Sequence, residues 1–227
     1  ARDVAKLEAL ATRLRAAHGV SAEIVRADLT TEADVAALEH KLATDTAIGI
    51  LVNNAGSILP GGFLAQDGAG IDTLIRLNVT AVARLARAAA GRFAAEGNGA
   101  IVNIASVVGL APEFGATVYG ATKAFVIYLS QSLQNELGKS GVYVQAVLPA
   151  ATRTEIWDKG GRDVNTIPGL MEVGDLVDAA LTGFDRREAI TIPPLPDAAA
   201  WDAHEAARKA LIPGFGNAQP AARYRAG

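Results

Sequence analysis

Apolar residues at the start of the chain recur every three or four positions. In VAKLEALATRLRAA, Val4, Leu7, Leu10 and Leu14 share one helical face, which predicts an amphipathic helix over 3–17 that stops at Gly19. The run AEIVRA (22–27) predicts a short strand ending at Asp28. Thr30 or Thr31 can cap a second helix to about Leu42, with Val35, Leu38 and Leu42 inward. An apolar run over 48–52 is too short for a helix and reads as a buried strand that ends in Asn53-Asn54-Ala55-Gly56. After Pro60-Gly61-Gly62 the helical period returns over 70–95.

The second half repeats the alternation. A strand is predicted over 100–105 with Ser106 at its end, then a loop holding Gly109, Pro112 and Gly115. A helix opens near Tyr119 and runs to Gly138, and a strand over 142–148 is closed by Pro149. Residues 150–170 show no clear period. A helix over 172–184, a strand over 189–192 and a terminal helix over 197–211 complete the pattern. Uniformly apolar strands alternating with helices predict an α/β fold, a doubly wound parallel sheet with helices on both faces. One domain over 1–195, with a C-terminal helix and tail over 196–227, is expected.

Composition narrows the class. Half of the 227 residues are apolar, and the formal net charge is −3 without a basic stripe, so nucleic acid is not an expected partner. No apolar run reaches the ~18–20 residues of a membrane span. The chain has no cysteine, which excludes disulfides and thiolate sites, and its three scattered histidines give no metal-site spacing. A soluble, cytoplasmic protein without a metal is expected.

Ligands of such sheets bind beyond the carboxyl ends of the strands. Asp28, Asn53 to Gly56, Ser106 and Pro149 to Thr154 all fall there, so four polar or turn-forming clusters converge on one edge. Tyr119 and Lys123 lie one helical turn apart on the same face. A phenol titrates near 10, and a neighbouring ammonium would stabilise its anion, so the pair is a plausible acid–base centre. No histidine neighbours Ser106 in sequence, which argues against a hydrolase triad.

These motifs together resemble the short-chain dehydrogenase/reductase family, in its single-domain NAD(P)(H)-dependent form: Asn53-Asn54-Ala55-Gly56 after a strand, Asn78 in LNVTA, Ser106, and Tyr119-Gly-Ala-Thr-Lys123 thirteen residues later. The likeness covers 1–195 and implies a Rossmann-like fold with strand order 3-2-1-4-5-6-7. It implies an oxidoreductase that interconverts a ketone or aldehyde and an alcohol. Tyr119 would be the general acid or base and Lys123 would also hold the nicotinamide ribose. Ser106 would bind the carbonyl oxygen, and Asn78 would kink its helix and hold a relay water. Asn54, Ala55 and Gly56 would floor the cofactor cleft, with Thr152 and Thr154 near the carboxamide and diphosphate. Asp28 would meet the adenine, or else cap the 32–42 helix. Arg2, at the family's 2′-phosphate position, favours NADP(H) over NAD(H). Val108, Phe114, Trp157 and Met171 would line the substrate site under a lid over 155–170. Alanines 86, 88–90 and 94 would let helices pair in a homodimer or homotetramer. The alternative weighed is a non-catalytic nucleotide-sensing or scaffold protein, against which the complete Asn/Ser/Tyr/Lys set speaks.

Two departures stand out. Pro149-Ala150 replaces the family's Pro-Gly, which requires an ordinary backbone at Ala150. The family's first strand, Gly-rich turn, helix and second strand are absent from this sequence. Because they separate 22–27 from 48–52 in the sheet, two unpaired edges and an uncovered apolar slot are expected, with a βαβ half-unit of roughly 30–40 residues upstream.

Overall fold

Four strands run parallel in one sheet, in the order in which the chain makes them: β1 (Ile50–Asn53), β2 (Gly99–Ile104), β3 (Val142–Val147) and β4 (Ile190–Thr191). The structure is a computed structural model and describes residues 1–225. The last two positions of the expected tail lie outside the described residues. Helices α1 (Val4–His18), α2 (Glu32–Thr44), α3 (Gly68–Ile75), α4 (Ala81–Glu96), α5 (Thr117–Leu137), α6 (Ile156–Lys159) and α7 (Val173–Asp185) belong with the sheet to one compact unit, Ala1–Pro193. A second unit begins at Pro194 and carries α8 (Ala198–Lys209), capped by Asp197, whose carboxylate accepts from the Ala199 amide.

Side-chain alternation along the fully buried β3 sorts the helices onto two faces. Val142 and Val144 pack with Ile101 and with Ala86, Ala89 and Phe93 of α4. The intervening Tyr143 meets Phe184 of α7 edge-on, with ring centroids 5.2 Å apart, and Gln145 donates to Ala180 O of α7 at 3.0 Å. The result is the Rossmann-like, doubly wound sheet that the apolar strands called for. Phe93, Ile101 and Leu148 are among the largest fully buried side chains. Each contributes on the order of 1.5–3 kcal/mol by leaving water.

On the α4 face, α2 packs against α4. Arg84 fixes the pair by reaching Glu39 through Nε at 2.8 Å and Glu32 through Nη1 at 2.5 Å. This packing corrects the expectation of an alanine-rich oligomer face. Ala86, Ala88, Ala89 and Ala90 are buried inside the chain, where their small size lets α2 and the sheet approach α4.

Three further elements differ from the pattern. Residues 22–27 form no strand: strands exist by exchanging backbone hydrogen bonds with a neighbour. This stretch has one such bond, from Ala27 N to Ala1 O at 2.9 Å. The helix expected over 70–95 is broken by a π-helical turn at Arg76–Thr80. The face of α1 is only partly covered, with Ala11 buried and Val4 and Leu10 exposed.

Beside β1 lies a cleft of about 260 Å³, whose lining includes Val25, Leu29, Leu38, Leu51, Leu77 and Leu85. Ile50 and Val52 of β1 are 52% and 55% exposed. The apolar slot and one of the two unpaired edges expected from the missing strands are therefore present; the other is not, because residues 22–27 form no strand.

Candidate active site

Ser106 follows the end of β2, where the chain leaves the sheet and turns through a short 3₁₀ segment, Val107–Gly109. Its hydroxyl donates to Pro149 O at 3.2 Å and accepts from the Val108 amide at 3.3 Å. The site thus borrows rigidity from the ends of both β2 and β3. Ala150, next along, has an ordinary backbone, since among the described residues Arg187 is the one non-glycine with positive φ.

The turn then passes under α5 at Gly109. A Cβ there would stand 2.7 Å from the Ala124 amide nitrogen and 2.8 Å from the Lys123 carbonyl carbon. Glycine alone allows this approach, and it sets the Ser106 turn against the helix turn that carries Tyr119 and Lys123.

Tyr119 sits in the first turn of α5, half-buried. Burial pushes its phenol above the ordinary tyrosine range, and the adjacent Ser106 hydroxyl pulls weakly the other way. The expected lowering by Lys123 is not seen in the chain by itself. The ammonium lies 5.7 Å from the ring centroid and is tied elsewhere, donating to Ile104 O at 2.8 Å. Desolvation outweighs charge at this distance. The same burial lowers the Lys123 ammonium to about 8. At neutral pH the phenol is protonated beside a cation, the loaded state of a general acid.

Asn78 occupies the π-helical turn between α3 and α4 and is buried. Such turns widen the helix by one residue and occur often at functional sites. Here the asparagine amide pairs with the Ser57 backbone: Nδ2 donates to Ser57 O at 2.9 Å, and Oδ1 accepts from Ser57 N at 3.0 Å. Nδ2 also donates to Thr122 Oγ1 at 3.1 Å. Asn78, Ser106, Tyr119 and Lys123 are thereby brought into one cluster.

Gly56 adjoins it, since the position of a Cβ there would be 3.5 Å from Asn78 Oδ1 and 3.6 Å from Lys123 Nζ. Its neighbour Asn53 points into the core, donating to Asn103 Oδ1 at 2.9 Å, and Asn103 in turn donates to Ser130 Oγ of α5 at 2.9 Å. Asn54 and Ala55 are exposed.

The remaining expected cofactor residues divide. Arg2 Nη1 lies 3.4 Å from Asp28 Oδ2, while Asp28 Oδ1 accepts from the Thr30 amide and hydroxyl. These Thr30 contacts chiefly hold the Asp28 carboxyl below the usual range, with Arg2 adding to them. Asp28 does not cap α2; Thr31 does, accepting from Asp34 N. Thr152 is buried, hydrogen-bonded to Ala150 O, and its strand-like segment pairs with Met171. Thr154 is exposed.

The 155–170 stretch is more ordered than its sequence suggested, with α6, a 3₁₀ turn at Val164–Thr166, and a Lys6–Glu155 ion pair of 2.9 Å to α1. Trp157 donates from Nε1 to Thr152 O at 2.8 Å and stacks under Arg162.

A family model described as short chain dehydrogenase matches residues 1–165. The chain belongs to the short-chain dehydrogenase family. Among solved structures it is similar to a short-chain dehydrogenase from Sphingobium yanoikuyae in complex with NADPH, at 61% identity over 99% of this chain and 88% of that one, with a TM-score of 0.97. It also resembles the bulky-bulky ketone specific alcohol dehydrogenase from Comamonas testosteroni, at 52% identity over 99% and 86% of the two chains, with a TM-score of 0.92. A curated relative is nodulation protein G of Rhizobium sp. (strain N33), 37% identical over 69% of this chain and 62% of its own length. Another is human 17-beta-hydroxysteroid dehydrogenase type 3, 37% identical over 67% and 50%. The chain thus spans about half to three-fifths of the curated relatives' length.

Two features of this short-chain dehydrogenase bear on a nicotinamide cofactor. Among the described residues Lys123 has one hydrogen-bond acceptor, Ile104 O, so its ammonium keeps donors for a ribose hydroxyl. The Arg2 guanidinium is exposed and engaged at one nitrogen, so it keeps donors for a phosphate. The residues present fit the two ends of such a molecule.

Sequence reasoning missed Thr122 and Gly109. Each acts through a contact with a residue distant in the chain or on another element, and neither type announces chemistry by itself.

Proposed function

We propose that this chain is an NADP(H)-dependent oxidoreductase that reduces a ketone to an alcohol, or runs the reverse, with Tyr119 as the general acid or base. The observation that carries the reading is the cluster of half-buried Tyr119 with buried Ser106 and Lys123, a protonated phenol beside a cation and a hydroxyl. The NADPH bound by the similar Sphingobium enzyme and the exposed Arg2 favour the phosphorylated cofactor. The ketone named for the Comamonas enzyme favours a substrate bulky on both sides of its carbonyl.

NADPH, when bound, supplies the hydride that the carbonyl carbon accepts. Tyr119 gives the carbonyl oxygen its proton, and the O–H bond broken at the phenol reforms on the product. Lys123 balances the phenolate left behind. Ser106 must turn its hydrogen from Pro149 O to the substrate oxygen, exchanging one hydrogen bond for another as charge develops there. Asn78, Gly56, Thr152 and Thr154 bound the cofactor space in this reading, with Arg2 and Asp28 at its adenosine end. The cytoplasm is the compartment proposed; no helix among the described residues is long and apolar enough to cross a membrane. Exposed Phe125 and Tyr128, one turn apart on α5, support a homodimer or homotetramer.

The test is NADPH oxidation across ketones graded in bulk, with aldehydes for comparison. Tyr119→Phe is expected to lower kcat on the order of 10²–10⁴-fold. Turnover that survives this substitution overturns the mechanism.

A further inference from the structure

Thr122 is buried in α5 immediately before Lys123, and the reaction proposed above gives it no part. Its hydroxyl donates its single hydrogen to Tyr119 O at 2.7 Å. What remains on Oγ1 can only accept. It accepts from Asn78 Nδ2 at 3.1 Å, across 44 residues of sequence. The Asn78 amide therefore faces two acceptors on its nitrogen side, Thr122 Oγ1 and Ser57 O, and one donor on its oxygen side, Ser57 N.

Turning the amide over would set Oδ1 against the two acceptors and Nδ2 against the donor. Each buried polar group so mismatched loses its partner. The orientation matters because Oδ1 and Lys123 Nζ border the same space above Gly56. In the observed orientation Lys123 shares that space with an acceptor. In the reversed one it would share it with a second donor, which disfavours the ammonium.

We propose that Thr122 is a positioning residue whose hydroxyl, committed as an acceptor by its bond to Tyr119 O, holds the Asn78 amide with Oδ1 toward Gly56 and Lys123. Its kinetic consequence rests on the function proposed above; its structural consequence does not. Thr122→Val keeps shape and β-branching but offers Nδ2 a methyl group. Thr122→Ala removes the contact without that methyl, and Thr122→Ser keeps the hydroxyl.

The experiment pairs two readouts on the full chain: amide hydrogen exchange at Ser57, whose N–H is held by Asn78 Oδ1, and steady-state kinetics with NADPH and a bulky ketone. In Thr122→Val and Thr122→Ala, Ser57 exchange is expected to quicken about tenfold, and kcat to fall about tenfold with KM within twofold, the worth of one buried hydrogen bond. Thr122→Ser is expected to restore both to within twofold of the parent. Unchanged Ser57 protection in the Val and Ala variants overturns the proposal, as does a Ser variant as impaired as they are. If Thr122→Val does not fold, the Ala and Ser variants decide by the same two measures. A parent with no reductase activity would refute the proposed function, and Ser57 exchange in the same variants would still decide the role of Thr122.

Discussion

Lys123 carries the clearest pH signature at the scale of one residue. Burial holds its ammonium at about 8 against 10.5 for the free group. Between these values the unfolded chain binds a proton here that the folded chain does not, so this group makes stability rise with pH from about 8 to about 10.5. Below 8 it is charged in both states and the fold bears the full desolvation. Lys123→Met is therefore expected to melt about 3 °C or more higher at neutral pH, to lose the rise, and to lose reductase activity. Differential scanning calorimetry at pH 7 and pH 9.5 checks the first two; a variant that melts lower at pH 7 would contradict the account. In the parent, kcat/KM for ketone reduction is expected to fall as pH rises through about 8, because the phenolate then loses its counter-charge. Tyr119, Lys123 and Ser106 were legible in the sequence because their side chains are reactive types at a spacing that one helical turn and one strand end can satisfy. The depressed lysine and raised phenol were not, since they depend on burial. Asp28 was read equally as a helix cap or an adenine ligand; Thr31 takes the cap, while the Asp28 carboxylate accepts from Thr30 and pairs with Arg2.

Between elements, the critical dimension is the separation of the Ser106 turn from α5, and Gly109 sets it. Gly109→Ala must push the backbone of Lys123 and Ala124 away by several tenths of an ångström, because the new Cβ would meet main-chain atoms rather than a yielding side chain. The expected result is a loss of about 1–3 kcal/mol in urea unfolding and a fall in kcat of up to about 10²-fold. A variant whose kcat stays within twofold would show that the spacing is not critical. Most elements were legible because their apolar period decides them: β2, β3, α5 and α7 lie within a residue or two of where the pattern put them. Two were not. The π-helical turn at Arg76–Thr80 is stabilised by Asn78 bonding to Ser57 and Thr122, contacts that no local window contains. Residues 22–27 have a strand's composition without a strand's neighbour. Propensity in a sheet is realised only by pairing.

For the whole molecule, Ile50 and Val52 of β1 stand exposed with the apolar cleft alongside, where the strand order implied by the family resemblance places its first strands. The slot was legible from the strand order that the motifs implied, whereas the inward packing of the α4 alanines was not. Small residues at a helix surface serve contacts within a chain and between chains equally well, and the sequence does not say which partner is closer. The order of the sheet has one more consequence. Because β2, β3 and β4 each neighbour the strand made just before, each of these three finds its template already laid down on leaving the ribosome and joins without insertion. The vulnerable interval comes after β3, all of whose residues are destined for the interior. It waits at a margin of the sheet while roughly 40 further residues are translated before β4 arrives, a delay of seconds at ~5–20 residues per second. The nascent chain is most in need of shelter then.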